Sequence, residues 1–282
     1  MVKKIFIFLF LANSVFAVSS LELVKNLVAN PSKDSQLRLL FPSSSYMDNK
    51  GNPDIAKISR ILKTNSLINL TLPEPRTLKL NFKAKADSVV FFKILTDALT
   101  NLGYIYFIPT DMILRDGNID YTIQVESQYI LDPGALYALL KDNSVYIDNI
   151  KRIGTYDYEY DLNFENAQLN TNIDLKLNST QALERPLKDY VFTLQGASNL
   201  MIDAHDADFW FPKVLFLDKN LNLIKAVKSQ AQNNHFSELI PSGAVYAIVS
   251  DMYSLDNIRR GLKITLKNKK EEKCLMKFVS IP

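Results

Sequence analysis

Three aspartates stand close together before the only tryptophan of the chain, in the run Asp203-Ala-His205-Asp206-Ala-Asp208. Carboxylates at neighbouring loop positions hold hard cations such as Ca²⁺ through several oxygens at short range. A metal site would therefore use Asp203, Asp206 and Asp208 as ligands. The run lacks the glycine and the distal glutamate of an EF-hand, and loop aspartates are also found solvated or capping their own backbone, so both interpretations stay open.

A second candidate site is the aromatic triplet that follows directly, Phe209, Trp210 and Phe211. An exposed indole beside carboxylates suits sugar recognition, because its apolar face stacks on the sugar ring while carboxylates bind hydroxyls. The same triplet could form the centre of an interface with another protein. The alternative is a buried cluster between two sheets. The pattern therefore predicts interface or ligand residues at 209–211, with the core as the competing interpretation.

Catalytic patterns are scarce. His205 and Asp206 could act as an acid–base pair in a hydrolase, but no sequence feature supplies a nucleophile or an orienting partner. The chain has 2 histidines and 8 glycines, and it lacks phosphate-binding glycine loops, a Gly-x-Ser-x-Gly elbow and a His-Glu-x-x-His helix. The single cysteine, Cys274, excludes an intramolecular disulfide. We therefore expect a protein that is not an enzyme and has no cofactor.

Residues 1–17 have the layout of a cleaved secretory signal peptide. Lys3 and Lys4 form the charged start, Ile5–Ala12 the apolar run, and Val15-Phe16-Ala17 the cleavage site. No cysteine lies near that site, so the sequence predicts a periplasmic protein that is not a lipoprotein. The alternative is an uncleaved anchor. No other run approaches 18 apolar residues, which predicts no transmembrane segment after signal removal.

Composition limits the classes of partner. The apolar fraction of 47% is high enough for a packed core. The formal net charge is +3 and falls to +1 without Lys3 and Lys4, so the chain has no basic footprint for nucleic acid. An envelope protein, a second copy of the chain or an oligosaccharide are the partners that we expect.

The predicted fold class is α+β, with a small α/β domain followed by a C-terminal antiparallel β-sandwich. Residues 18–75 form an N-terminal helical and irregular segment. Helical spacing predicts a helix over Val18–Asn30 and a second one from Pro53, with a polar loop over Pro31–Pro53 between them. A strand over Leu67–Leu72 is predicted to end at Pro73-Glu74-Pro75.

Residues 76–165 are predicted to form the small α+β domain. Helical periodicity marks Val89–Leu102, which Asp87 or Ser88 can cap and Gly103 can end. The other predicted elements are a short helix over Pro133–Leu140 and strands over Thr77–Phe82, Tyr104–Ile108, Ile119–Ser127, Val145–Ile150 and Thr155–Phe164. The last strand carries a stripe of tyrosines, which is typical of a sheet face, with ligand stacking as the alternative.

Residues 166–185 are predicted to be a linker, although Ile173–Leu177 alternates and could be an edge strand instead. Residues 186–282 are assigned to the β-sandwich. Short strands at regular spacing are predicted over Lys188–Gln195, Asn199–Ala204, Lys213–Leu217, Leu221–Val227, Ala244–Asp251, Leu262–Lys267 and Lys273–Val279. Val214–Leu217 is apolar at every position, so this strand should be covered on both faces. A short helix is predicted near Ser254–Arg259.

The order of three segments resembles the C-terminal β domain of the periplasmic maltose-operon protein family. The segments read PLKDYVFTLQG, FPKVLFLDKNLNLIKAV and AVYAIVSDMYSLDNI. The positions that carry the resemblance are Phe211-Pro212, Leu217-Asp218 and Tyr246–Val249, within roughly Pro186–Leu266. The chain departs from the family in lacking an N-terminal lipid-attachment cysteine. The resemblance implies a periplasmic β-sandwich without an assigned reaction.

Together these patterns predict an exported, non-enzymatic envelope protein that acts through protein–protein contacts, as a scaffold or accessory factor of an envelope or flagellar-motor complex. The layout of residues 76–165 is similar to the small α/β domains of curli-secretion and flagellar accessory factors, which is an analogy of fold alone. The alternative function is that of a periplasmic carbohydrate-binding protein, which the maltose-operon resemblance and Trp210 favour.

Overall fold

A computed structural model of the chain describes residues 18–42, 46–48, 51–171 and 173–268. The predicted signal peptide at 1–17, the predicted strand Lys273–Val279 and Cys274 lie outside these ranges. Among the described residues no helix is long and apolar enough to cross a membrane.

The N-terminal segment contains more helix than the sequence predicted. The helices are α1 (Ser20–Val28), α2 (Asp34–Leu40) and α3 (Ile55–Thr64), and a 3₁₀ turn at Pro31–Lys33 joins α1 to α2. The prediction of a loop over Pro31–Pro53 was wrong for α2, because Leu37 and Phe41 are fully buried and anchor this short helix. The predicted start of α3 is confirmed, since Asp54 caps it by accepting a hydrogen bond from the Lys57 amide at 3.0 Å.

A five-stranded sheet with the strand order β2-β3-β1-β5-β4 forms the first half of the molecule. Only the β1–β5 pair is parallel, and the other neighbours are antiparallel. One face of the sheet is buried against the helices, and Leu80, Phe82 and Tyr160 lie in that core. The elements of this half are β1 (Thr71–Lys85), α4 (Ser88–Asn101), β2 (Ile108–Arg115), β3 (Asn118–Tyr129), α5 (Pro133–Lys141), β4 (Tyr146–Arg152) and β5 (Asp157–Asn163).

Strands β1 and β2 differ most from the predictions. Strand β1 runs through Pro73 and Pro75, where the sequence predicted a stop. The strand accommodates both prolines because its register against β3 shifts between Thr71 and Arg76. Residues 104–107, predicted as strand, precede β2 without belonging to it. The tyrosine stripe is core, since Tyr160 is fully buried, stacks on Phe82 at 5.2 Å between ring centroids, and has its pKa raised by burial.

Two four-stranded sheets form a sandwich-like second half, with the orders β10-β9-β12-β7 and β11-β8-β13-β6. The sequence missed the strands β6 and β11, and the predicted helix near Ser254–Arg259 is a 3₁₀ turn at Leu255–Ile258. The strands are β6 (Thr180–Ala182), β7 (Tyr190–Thr193), β8 (Asn199–Ala204), β9 (Pro212–Leu217), β10 (Leu223–Lys228), β11 (His235–Leu239), β12 (Tyr246–Asp251) and β13 (Leu262–Lys267). All sheet neighbours in this half are antiparallel.

The segment 166–185 is structured where it touches both halves. Leu169 is buried in the first core and Leu175 in the second. Strand β6 pairs with β13, three residues after the Ile173–Leu177 run that alternates in sequence. The segment therefore contributes an edge strand, at a later position than the alternation indicated.

Strand β9 is covered on both faces, as its unbroken apolar run predicted. Val214 and Phe216 point into the core between the two sandwich sheets. Leu215 and Leu217 point the other way and join the core that includes helix α4 and the five-stranded sheet. The two halves therefore share one wall, the sheet β10-β9-β12-β7.

We expect Leu217→Ala to lower the free energy of unfolding by about 2–5 kcal/mol, because it leaves a cavity where the halves meet. Leu217 is 0% exposed. Urea denaturation followed by circular dichroism measures the change. Leu187→Ala is the matched control, since Leu187 is 95% exposed and its truncation should shift stability by less than about 0.5 kcal/mol. Equal effects of the two variants would contradict the shared core.

Candidate functional site

Trp210 is not an exposed binding residue. Its side chain is fully buried in the sandwich core, where the indole Nε1 donates to the Ser250 carbonyl at 2.9 Å and the ring packs against Phe236. The predictions that Trp210 stacks on a sugar or forms an interface were therefore wrong. Consecutive side chains of an extended segment point in opposite directions, so burying Trp210 turns Phe209 outward, where it is 63% exposed, and leaves Phe211 partly buried against Tyr253.

A buried carboxylate that the sequence did not single out holds this aromatic segment in place. Asp251, at the end of β12, accepts the Phe211 amide at 2.8 Å through Oδ2. Its Oδ1 accepts the amides of Tyr253 and Ser254 at 2.8 and 2.9 Å and the Asn257 side-chain amide at 3.0 Å. With four donors satisfied, Asp251 is a structural residue that fixes two loops at one end of the sandwich.

The three aspartates of the acidic run do not converge. Asp208 is buried and pairs with Arg260, whose backbone amide also donates to Oδ2 at 3.2 Å. Asp203 instead contacts His235 on the neighbouring strand, with 2.8 Å between Oδ1 and Nδ1, and Asp206 is exposed. The part of the chain that the structure describes holds no group of three metal-ligating side chains. The predicted metal site was wrong because each carboxylate is directed to a different place.

The acid–base pair is also not assembled. The His205 Nδ1 accepts the amide of Ala207 at 3.0 Å, which makes the imidazole part of a local turn. Within the described ranges the ring forms no hydrogen bond with Asp206, with a hydroxyl or with a thiol. This turn does not supply the nucleophile that a hydrolase would need.

The solvent-side face of the five-stranded sheet carries a charged cluster that is nearly buried at its centre. Glu159 on β5 accepts from Lys83 at 2.5 Å and from Lys151 at 2.8 Å. Burial alone would raise the pKa of Glu159, but the hydrogen bonds from Lys151 and Lys83 outweigh it and hold the pKa below its usual 4.5. The cluster therefore couples three neighbouring strands through charge.

A groove of about 980 Å³ lies between helix α4 and the sheet that the two halves share. Lys93 on α4 crosses it, with Nζ 2.8 Å from Asp97 Oδ2 and 3.6 Å from Asp189 Oδ2. Asp189 in turn accepts the Ser250 hydroxyl at 2.6 Å. These charged groups satisfy one another, so they join the two halves across the groove.

The least expected surface is the outer edge of strand β2, the β2 edge, which is formed by Ile108–Arg115. Strand β2 ends the five-stranded sheet, and each of its eight residues is exposed. Its apolar side chains are largely solvent-accessible, namely Ile108 at 68%, Met112 at 55%, Ile113 at 53% and Leu114 at 49%. Just before the strand, Tyr106 is 89% exposed. A cluster of exposed apolar residues on an edge strand is typical of a binding surface.

The β2 edge is exposed because the sheet is wider than its helical layer. Met112 and Leu114 lie opposite Tyr121 and Ile119 of β3, so they share the face that the helices cover. Tyr121 is buried and contacts Phe92 of α4 at 5.0 Å between ring centroids. The helical layer therefore covers β3 but does not extend over the neighbouring strand β2.

Unlike β2, an edge strand in the second half carries lysines that oppose pairing with another chain. Strand β10 ends its own sheet and carries Lys225 and Lys228, and lysines on an edge strand oppose pairing with another chain. Strand β2 has no lysine, and its Pro109 stands at the start, where its register against β3 shifts. Among the strands that the structure describes, none pairs with the outer edge of the segment after Pro109, so this edge is open to a further strand.

Sequence reasoning missed this surface although a signal was present. The run Met112-Ile-Leu-Arg115 is followed by Asp116-Gly117, a two-residue turn signal, and then by the alternating strand β3. Both turn residues have positive φ, 53° and 75°, as a type I′ hairpin requires. The strand predicted ahead of this turn, Tyr104–Ile108, ended before Pro109, so the segment that pairs with β3 in the hairpin was overlooked.

Comparisons with protein-family models, with curated proteins and with solved structures found no match. The resemblance to the periplasmic maltose-operon protein family therefore stays a prediction, and a function has to be inferred from the geometry of this chain.

We expect Glu159→Gln to lower the free energy of unfolding by about 1–3 kcal/mol at neutral pH, because the amide loses two charge-assisted hydrogen bonds. Since the folded pKa of Glu159 is depressed, its stabilising effect is present above its unfolded pKa near 4.5 and is lost as the pH falls through the folded pKa. The difference between variant and wild type should therefore shrink below about pH 4.5. Urea titrations between neutral and acid pH measure it, and a difference that does not change with pH would contradict this role.

Proposed function

We propose that this chain is an exported, non-enzymatic protein of the cell envelope that binds another polypeptide by adding a strand at the β2 edge. The observation that carries the proposal is an eight-residue edge strand with every residue exposed and four large apolar side chains among them. Strand addition uses main-chain hydrogen bonds for affinity and alternate side chains for specificity, and β2 offers both.

The backbone geometry supports the same conclusion. In a two-residue hairpin the residues that flank the turn form a hydrogen-bonded pair, here Arg115 and Asn118. Alternation then directs the amide and carbonyl of Ile113 to β3, and those of Met112 and Leu114 to the free edge. A bound strand would satisfy these groups while it covers the apolar side chains that the helices leave open.

The function is tested with a photoreactive amino acid at Ile113 in cells that produce the full chain. We expect a discrete crosslinked protein adduct that is lost on the additional change Met112→Pro, because proline removes a free-edge amide without breaking a bond to β3. Adducts are read by mass spectrometry.

The matched control is the same photoreactive residue at Ile224, which is 40% exposed on the lysine-guarded strand β10 and should give no adduct. If Met112→Pro impairs folding, Ile113→Lys replaces it, with the photoreactive residue moved to Leu114. Equal adducts at Ile113 and Ile224 would contradict strand addition at β2. So would an adduct that persists with Met112→Pro and with Ile113→Lys.

A further inference from the structure

We propose that the strand that occupies the β2 edge is β2 of a second copy of this chain, paired antiparallel about a two-fold axis at Ile113. The inference rests on the proposed function and names its partner. It follows from the order of charges and apolar residues along Asp111–Arg115, which is complementary to itself in one register. A two-fold interface uses the same patch on both copies, so such self-complementarity is its requirement.

The outer face of the sheet supplies the charge complementarity. In this register Asp111 of each copy lies opposite Arg115 of the other, and the two Ile113 side chains meet between the two ion pairs. Within one chain these charges cannot pair, because four residues of strand separate them by about 13 Å. Asp111 has no ion pair among the described residues, and Arg115 makes only a long exposed contact of 3.7 Å with Asp116.

The helix-side face supplies the apolar contact. In this register Met112 of each copy lies opposite Leu114 of the other. The two pairs bring four exposed apolar side chains together where the helical layer ends. Met112 and Leu114 are also the residues whose amides and carbonyls point to the free edge, so they become the hydrogen-bonded pairs and Ile113 the non-hydrogen-bonded one. The backbone pattern and the side-chain pattern thus select the same pairing.

Neighbouring registers lose either the main-chain hydrogen bonds or the pairing of Asp111 with Arg115. A shift by one residue sets free-edge groups of one copy against groups that are already bonded to β3. Shifting so that Met112 or Leu114 lies on the axis keeps the hydrogen bonds but moves Asp111 away from Arg115. Further shifts set Asp111 against Asp111, or Arg115 against Arg115, and like charges directly opposite are destabilising. The proposed register alone satisfies bonds, charges and apolar contacts.

Single-cysteine crosslinking reads the register directly. In a Cys274→Ser background, which removes the only native cysteine, we compare Met112→Cys, Ile113→Cys and Leu114→Cys in the purified full-length protein. A non-hydrogen-bonded antiparallel pair holds its Cα atoms about 4.5 Å apart, within disulfide range. We expect mild oxidation to convert Ile113→Cys to a disulfide dimer. The other two variants should crosslink little with themselves, because their own copies lie about 8 Å away.

Charge exchange provides an independent test without cysteines. Asp111→Arg and Arg115→Asp each place like charges opposite one another twice, and each should weaken the dimer about tenfold or more in sedimentation equilibrium. The double variant, Asp111→Arg with Arg115→Asp, restores opposite charges and should recover the dimer. Ile224→Cys on β10, in the Cys274→Ser background, is the control for random collision of exposed edge residues.

A monomer at all concentrations, equal crosslinking of the three β2 cysteines, or no recovery in the double variant would overturn the self-pairing. If the protein is monomeric and Ile113 still gives a photo-adduct with a different protein that Met112→Pro abolishes, the self-pairing is overturned while the proposed function stands. Absence of both the dimer and the adduct would overturn the proposed function as well.

Discussion

Strand β9 is buried on both faces, and the arrangement of the molecule depends on this constraint. A strand with apolar side chains on both sides needs two layers of cover, and each half of this chain supplies one. Phe216 is covered by the second sandwich sheet, and Leu217 by the helical half. The ion network from Lys93 to Asp189 crosses the groove beside this shared wall and ties helix α4 to it. The two halves therefore act as one folded unit.

Polar groups buried at the end of the sandwich have structural roles. Asp251 accepts four hydrogen bonds, and Asp208 pairs with Arg260, so both carboxylates are satisfied within the protein. A buried carboxylate without partners would be strongly destabilising, and these contacts remove that penalty while they set the paths of two loops. The same loops direct Trp210 inward, which is why residues that resemble a ligand site in sequence form a packed corner instead.

The exposure of β2 follows from a mismatch between two layers. Five strands are wider than the helices that cover them, so the last strand projects beyond Phe92 and the rest of α4. Charged side chains are one way in which proteins protect such an edge from pairing, as Lys225 and Lys228 do on β10. On β2 the charges Asp111 and Arg115 are spaced so that they favour one defined pairing rather than prevent pairing altogether.

The sequence by itself determined the periodic elements, because helical and strand spacing are local properties. A helix near Val89–Leu102, a cap at Asp87 or Ser88 and the two-sided burial of Val214–Leu217 could be read from residue order, and the structure has the helix at Ser88–Asn101 with Asp87 as its cap. The sequence could not determine whether the loop carboxylates converge, since Asp203 and Asp208 are directed by partners distant in sequence, His235 and Arg260, and Asp206 is exposed. Nor could it show that β2 lies at an uncovered edge. That exposure depends on strand order and on the width of the helical layer, which only the tertiary structure decides.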